Sequence, residues 1–205
     1  MQNQQNPNSQ MKESASMSAN KSHGAHEIMD VHETLSTIVG TIEHYKMYEP
    51  NIQCQQLKGI LSNQSQFLGQ LYNTMVDTYQ SGTRPQQPTT TYNFELSNDV
   101  TYGLSPSQPT QPQQSPQQLN EQNFSSFMMG HIKACATACT TSALEATNPV
   151  MRRVLQDSVP NLCEMAYELF LYQNDRNYYQ VPQFDDQTMT QLLNSFTTTP
   201  TQQQH

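Results

Sequence analysis

The sequence predicts an all-α protein: four long amphipathic helices arranged as two hairpins, joined by a long Pro/Gln-rich linker and followed by a short C-terminal helix. Three observations lead there. Apolar residues recur at spacings of three and four in four separate stretches, which is the signature of helices with one buried face. The breaks within each pair are short, Tyr48-Glu49-Pro50-Asn51 and Asn148-Pro149, so the paired helices must fold back on one another. Six of the twelve prolines fall between Thr83 and Gln118, which separates the pairs. Only 34% of the 205 residues are hydrophobic and 13% charged, and the Gln, Asn, Ser and Thr that fill the balance cannot offset the entropy of ordering. Order must therefore be concentrated in these segments.

Residues 1–24 are polar and aperiodic, and are expected to form a disordered tail. From residue 25 the pattern changes: Ile28, Val31, Leu35, Ile38, Ile42 and Tyr45 trace one stripe, with Glu27, Asp30, Glu33 and Glu43 off it. Pro50 breaks this helix and Asn51 offers a cap for the next. Leu57, Leu61, Gln64, Leu68, Leu71 and Met75 then form a second stripe, widened by Ile60 and Phe67 and closed by Gly82. Residues 25–82 read as the first hairpin.

Residues 83–118 favour extended, solvated backbone. One subsegment departs from the trend, since Tyr92, Phe94, Leu96, Val100, Tyr102 and Leu104 either dock on the bundle or serve as a contact motif. The second hairpin with its terminal helix spans 119–197. In its first helix Phe124, Met128, Ile132, Cys135, Cys139, Ser142 and Ala146 trace a face that becomes small along residues 134–143, as a close helix crossing requires. Asn148 caps the next helix with Pro149 at its first position, where the missing N–H costs nothing. Val154, Ser158, Leu162, Met165, Leu169 and Tyr172 mark its buried stripe, with a kink expected near Pro160. Asp185 or Asp186 caps a short helix through Met189, Leu192, Leu193 and Phe196, and residues 198–205 are expected to fray.

Two hairpins and one long connection match a ferritin-like four-helix bundle, although the pattern also permits an ordinary up-down bundle. A di-iron site in the former needs a Glu from each of two helices and a Glu-x-x-His pair from each of the others. Those residues are missing: residues 51–81 contain neither Glu nor His, Glu164 and Glu168 lack a His three positions on, and Glu145 is followed by Asn148. No catalytic, cofactor or metal residue is therefore assigned. His23, His26, Glu27, Asp30 and His32 cluster in sequence but offer at most a weak, open ion site. His131 falls beside the buried stripe and reads as a structural hydrogen-bonding group.

A formal charge of -8, with no basic run, disfavours nucleic acid. No stretch approaches the roughly 18 apolar residues of a membrane span, and the N-terminus lacks the pattern of a signal peptide, so synthesis in a cytosol is expected. Cys54, Cys135, Cys139 and Cys163 all fall in helical patterns and read as small buried residues without disulfides, Cys163 included. No GxSxG elbow or phosphate-cradling Gly loop is present. Tyr167, Tyr172, Tyr178 and Tyr179 gather at the end of the fourth helix, with Tyr45, Tyr48, Tyr72 and Tyr79 near ends of the first hairpin. An aromatic bundle end is one reading, and Tyr167, Tyr172, Tyr178 and Tyr179 are the candidate protein contact surface.

The order of residues around Ala143-Leu144-Glu145, Arg152-Arg153, Asp157-Ser158-Val159-Pro160, residues 165–169 (MAYEL), Tyr172-Gln173-Asn174 and residues 178–183 (YYQVPQ) resembles the Coat F family of bacterial spore coat proteins. The resemblance covers residues 31–82 and, more closely, 128–196. It implies a helical protein laid down in the spore coat, made in the mother-cell cytoplasm, whose partners are other coat proteins or further copies of itself. No functional residues come with it. Asn63 and Asn177 depart from its pattern, which places histidine and glycine there. Two other readings remain beside this one: a ferritin-like metal-binding protein or enzyme, and a cytosolic adaptor recruiting partners through the linker.

Overall fold

A computed structural model of the chain describes residues 12–13 and 15–199. Among these the regular secondary structure is helical, with four long helices, α1 (Ala25–Tyr48), α2 (Gln55–Ser81), α3 (Glu121–Glu145) and α4 (Pro149–Asp175), a short α5 (Asp186–Leu193) and a few 3-10 turns; two isolated β-bridges join Tyr102 and Gly103 to Val181. The expected frayed end lies outside the described residues from Pro200 onward.

The long helices pack side by side, α1 against α2 and α3, and α4 against α2 and α3. Their ends show the direction of each. The start of α1, the end of α2 and the α3–α4 connection meet at one end, where the Asn148 side chain donates to Ser22 Oγ at 2.7 Å and to the Gly82 carbonyl at 3.0 Å. At the other end Glu121 accepts from the backbone N–H groups of Gln53 and Cys54, and Arg176 reaches Gln56. Every neighbouring pair is thus antiparallel, while α2 and α3 run in the same direction and the segment between them must return along the bundle.

Within the bundle the α2 and α4 stripes lie where the spacing puts them: Leu57, Gln64, Leu68 and Met75, and Val154, Ser158, Leu162, Met165 and Leu169 are fully buried. The α1 stripe is rotated from expectation. Glu27, Val31, Thr34, Ile38, Thr41 and Tyr45 form its buried face, whereas Ile28, Leu35 and Ile42 flank it half-buried. The reason lies across the α1–α3 contact, where Thr34 Oγ1 meets Ser142 Oγ at 2.7 Å and Thr41 Oγ1 meets Cys135 Sγ at 3.3 Å. Small polar groups that satisfy one another can be buried cheaply and let the two helices approach.

Two helix starts illustrate different solutions to the same shortage of partners for the first N–H groups. Asn148 caps α4 as its sequence predicts, accepting from the N–H of Val150 and of Met151 at 2.9 Å. Asn51 does not cap α2: it belongs to a 3-10 turn (Glu49–Asn51) and its amide donates back to the Met47 carbonyl. Cys54 holds the cap position instead, and its N–H is answered by Glu121. Pro160 lies inside an uninterrupted α4.

Residues 19–24, expected within the disordered tail, are a correction. Ala19–Lys21 form a 3-10 turn under the end of α2, and Gly24 N–H donates to Thr147 Oγ1 at 2.8 Å. Gly82 fits this approach for two reasons. It ends α2 at φ 66°, and a Cβ there would stand 2.0 Å from the Ala19 carbonyl oxygen.

The connection after Gly82 is extended and tied to the α2 and α4 surfaces as a strap. Thr74 Oγ1 donates to the Gln87 carbonyl, Tyr92 N–H to Asn161 Oδ1 at 2.7 Å, and Thr101 N–H to Asn174 Oδ1 at 2.7 Å. Gly103 N–H then donates to the Val181 carbonyl at 2.8 Å, after which residues 106–114 are exposed. Tyr92 enters the core with its ring edge-on to Phe67 at 5.3 Å between centroids. This segment docks, and its buried tyrosine is not available as a recruitment motif.

Candidate functional site

Two buried polar networks, an aromatic ridge and an open groove are the places where this bundle holds chemistry. The first network crosses the core. Tyr45 on α1 donates to Gln64 Oε1 on α2 at 2.8 Å, and Gln64 Nε2 donates to Glu168 Oε2 on α4 and to the Met165 carbonyl, each at 3.0 Å. Tyr92 from the strap donates to the same Glu168 oxygen at 2.5 Å and accepts from Asn63 Nδ2 at 3.0 Å. Burial pushes the Glu168 carboxyl above its ordinary value, and the Tyr92 and Gln64 hydrogen bonds offset only part of that. Tyr92 is raised too, by burial and by the adjoining carboxylate.

A second network closes the opposite end. Glu27, fully buried, accepts from Thr147 N–H and Oγ1 at 2.7 Å and from Asn148 N–H at 2.8 Å, and meets His23 Nδ1 at 2.5 Å. Burial raises its carboxyl, but the bonds from His23, Asn148 and Thr147 outweigh burial and hold it below the ordinary value. Glu27 thereby ties the start of α1 to the start of α4. Sequence periodicity placed it on the exposed side because a carboxylate scores as polar whatever its partners; the signal that existed was Thr147-Asn148 at a helix start, which needs an acceptor.

The carboxylate cage weighed from the sequence does not fit here. Where the four helices face one another stand Tyr45, Gln64, Cys135 and Glu168, so a single carboxylate is present and its oxygen is already engaged. Among the described residues no three His, Cys, Asp or Glu side chains converge as metal ligands. Of the N-terminal histidines, His23 turns to Glu27 while His26 and His32 are exposed. His131 accepts or donates to Tyr48 Oη at 3.0 Å and stacks on His44 at 4.6 Å, and burial together with the His44 charge lowers its proton affinity.

All four cysteines are free. Cys135 and Cys139 are buried, and burial drives the Cys139 thiol up to about 12. Cys163 is exposed, contrary to the core position expected for it, because it lies on the solvent side of α4 opposite the Leu162 and Met165 stripe. Burial opposes ionisation of Cys54, but N–H groups at the start of α2, the Tyr172 hydroxyl and Arg176 outweigh it and lower the thiol.

The tyrosines divide. Tyr172 is 1% exposed with the Arg176 guanidinium 4.1 Å above its ring, so it belongs to the core and not to the contact surface expected of it. It sits on the α4 stripe, and helical spacing from Leu169 carries it inward. Tyr178 and Tyr179 are exposed by 36% and 42%, and Tyr167 is half-buried, stacked on Phe170 at 5.7 Å. Phe170 in turn meets Tyr179 edge-on at 5.2 Å, which gives a continuous aromatic ridge. Tyr72 and Tyr79 lie towards the other end, where Tyr79 Oη donates to the Ile28 carbonyl, so the tyrosines do not form one aromatic end.

A further surface is an open groove of about 540 Å³ between α3 and α4, lined by Ala143, Leu144, Val159, Pro160, Arg152 and Gln156 among others. Leu144 is 82% exposed there. At the far end of the molecule no residue of α5 is buried, and Leu193 and Phe196 are 74% and 91% exposed.

Comparison with known proteins agrees with the resemblance drawn from the second hairpin. The family described as the Coat F domain matches residues 120–182, which covers α3, α4 and the turn after them. The spore coat protein F-like protein YhcQ of Bacillus subtilis (strain 168) is 42% identical over 173 residues, 84% of this chain and 80% of that protein. No solved structure matches. No helix among the described residues is long and apolar enough to cross a membrane. At that identity over most of both proteins, and with the family's domain covering the second hairpin, the chain belongs to the Coat F family.

Proposed function

We propose that the protein is a structural and assembly component of the bacterial spore coat, acting by contact with other coat proteins and without catalysis. The observation that supports this best is the relationship to a spore coat F-like protein over 84% of the chain. The interior is consistent with it: the one carboxylate at the bundle centre is a hydrogen-bond acceptor for Tyr92 and Gln64, and its role is to hold the strap. Tyr167, Tyr178 and Tyr179 offer contact area at low entropic cost. The test is a fluorescent fusion followed through sporulation. A ring around the forespore is expected; a signal that stays diffuse and never reaches the forespore overturns the reading.

A ferritin-like bundle is our reading of the topology, supported by α2 and α3 running in the same direction with a long return between them. That direction is the feature that favours the alternative, a metal-binding protein. Elemental analysis of the purified protein separates the two: iron, manganese or zinc at one or more per chain establishes the alternative, and sub-stoichiometric content removes it.

A further inference from the structure

We propose that α5 of one copy seats in the α3–α4 groove of a second copy, so that the protein associates head to tail. The inference rests on the assembly role above and adds the surface and the partner. Three features of the molecule carry it. The first is that α5 is thinly covered: none of its eight residues is buried, Thr188 and Met189 are only half-covered, and Leu192, Leu193 and, just after the helix, Phe196 are exposed to solvent. Helices of this length are marginal in water even when capped, so this one needs a surface to hold it. Asp185 supplies a cap, accepting from Thr188 N–H at 3.0 Å, and the cap does not replace the missing contact.

The second feature is the groove. Its floor is apolar, with Ala143, Leu144, Val159 and Pro160 between two rigid helices, and it is wide enough for the side chains of a short amphipathic helix. The third is charge. Arg152 stands on the groove wall, where among the described residues it meets the neutral Gln156 at 3.4 Å and no carboxylate, while the first turn of α5 carries Asp186 beside the capping Asp185. An acidic helix start next to a guanidinium fixes the direction in which α5 lies in the groove.

The two surfaces belong to opposite regions of the fold. The groove lies towards the α3–α4 connection, with Arg152 to Pro160 on its α4 side, whereas α5 follows the other end of α4, about 22–35 Å further along that helix. Donor and acceptor are different patches, so the contact is heterologous and repeats into chains unless its rotation closes a ring. A chain-forming contact suits a layered coat.

Sedimentation velocity of the full chain tests this. Association that grows with concentration over roughly 10 to 500 μM is expected, weakened at least about tenfold by Leu193→Asp in the donor or by Leu144→Asp in the acceptor. Both positions are exposed, so folding is unaffected, which circular dichroism checks. Mixing the two variants is the decisive measurement. Each retains the half that the other lacks, so the mixture must form a one-to-one dimer and stop there. Arg152→Asp should weaken association, and Asp186→Arg added to it should restore it. A wild-type chain that stays monomeric throughout, or association that survives in both single variants, overturns the proposal. If a monomeric protein still localises to the forespore, the coat role stands and this contact alone is wrong.

Discussion

Glu168 and Glu27 are both buried carboxylates, and their surroundings drive them in opposite directions. Burial raises Glu168, so the folded state holds its proton more tightly than the unfolded chain, whose value is near 4.5. Its contribution to stability is fully present below that pH and is lost as pH rises through the elevated value. Glu168→Gln keeps the shape and the acceptor for Tyr92 but cannot ionise. The stability difference between variant and wild type should therefore move in the variant's favour between pH 4.5 and pH 7, measured by urea unfolding at both. No movement with pH would show that the carboxylate is not desolvated. Glu27 behaves oppositely, since its hydrogen bonds hold it below 4.5 and stability is lost as pH falls through the depressed value. Glu27→Ala also strands the Thr147 and Asn148 N–H groups and should cost about 2–4 kcal/mol at neutral pH, read by the same unfolding curves. Neither role was legible in the sequence, where both residues sit among ordinary surface acids and only contacts from distant segments distinguish them. Asn177 is a contrasting case: it adopts φ 57°, a left-handed backbone that suits the glycine which the resemblance implies at this position.

Helix existence was legible, and helix termini were legible only where the cap is local. Asn148-Pro149 carries its own signal, and the structure adds that the same amide binds Ser22 and the Gly82 carbonyl. Asn148→Ala removes the cap and both ties, so thermal unfolding should show a loss of about 2–3 kcal/mol, more than a cap alone is worth. The start of α2 could not be read because the acceptor for its first N–H groups, Glu121, lies 67 residues further along the chain. The strap poses the same problem on a larger scale. Its prolines and glutamines describe an extended chain correctly, yet what anchors it is a set of side chains on other elements: Asn63 on α2, and Asn161, Glu168 and Asn174 on α4. Tyr92→Phe keeps the ring against Phe67 and removes the hydroxyl, leaving the Glu168 oxygen with Gln64 alone. That change should cost about 2 kcal/mol and speed protease cleavage within residues 83–104, with unchanged cleavage rates disproving the anchoring role.

The direction of the four helices sets a length requirement for the whole molecule that the chain greatly exceeds. The connection must travel from the end of α2 to the start of α3, about the 40 Å length of the 27-residue α2. The 37 residues between Gly82 and Asn120 could span about 120 Å if fully extended, three times the need. Slack of this kind leaves some residues without a structural task, and exposure shows where they are: residues 106–113 are open to solvent throughout, whereas Tyr92 is buried. Two deletions of equal length separate the contributions. Removing 106–113 or removing 91–98 each shortens the loop by eight residues, so loop-closure entropy changes by the same few tenths of a kcal/mol. The first should leave the unfolding midpoint nearly unchanged. The second takes away Tyr92, the bond to Asn161 and the partly buried Phe94 and Leu96, and should cost at least about 3 kcal/mol. Equal losses in the two variants would mean that the connection serves only as a tether. Unequal losses in the stated order would make the strap a fifth packed element of the bundle, one that no helical periodicity could have announced because it is held by hydrogen bonds and a few side chains, Tyr92, Phe94 and Leu96, on an extended backbone.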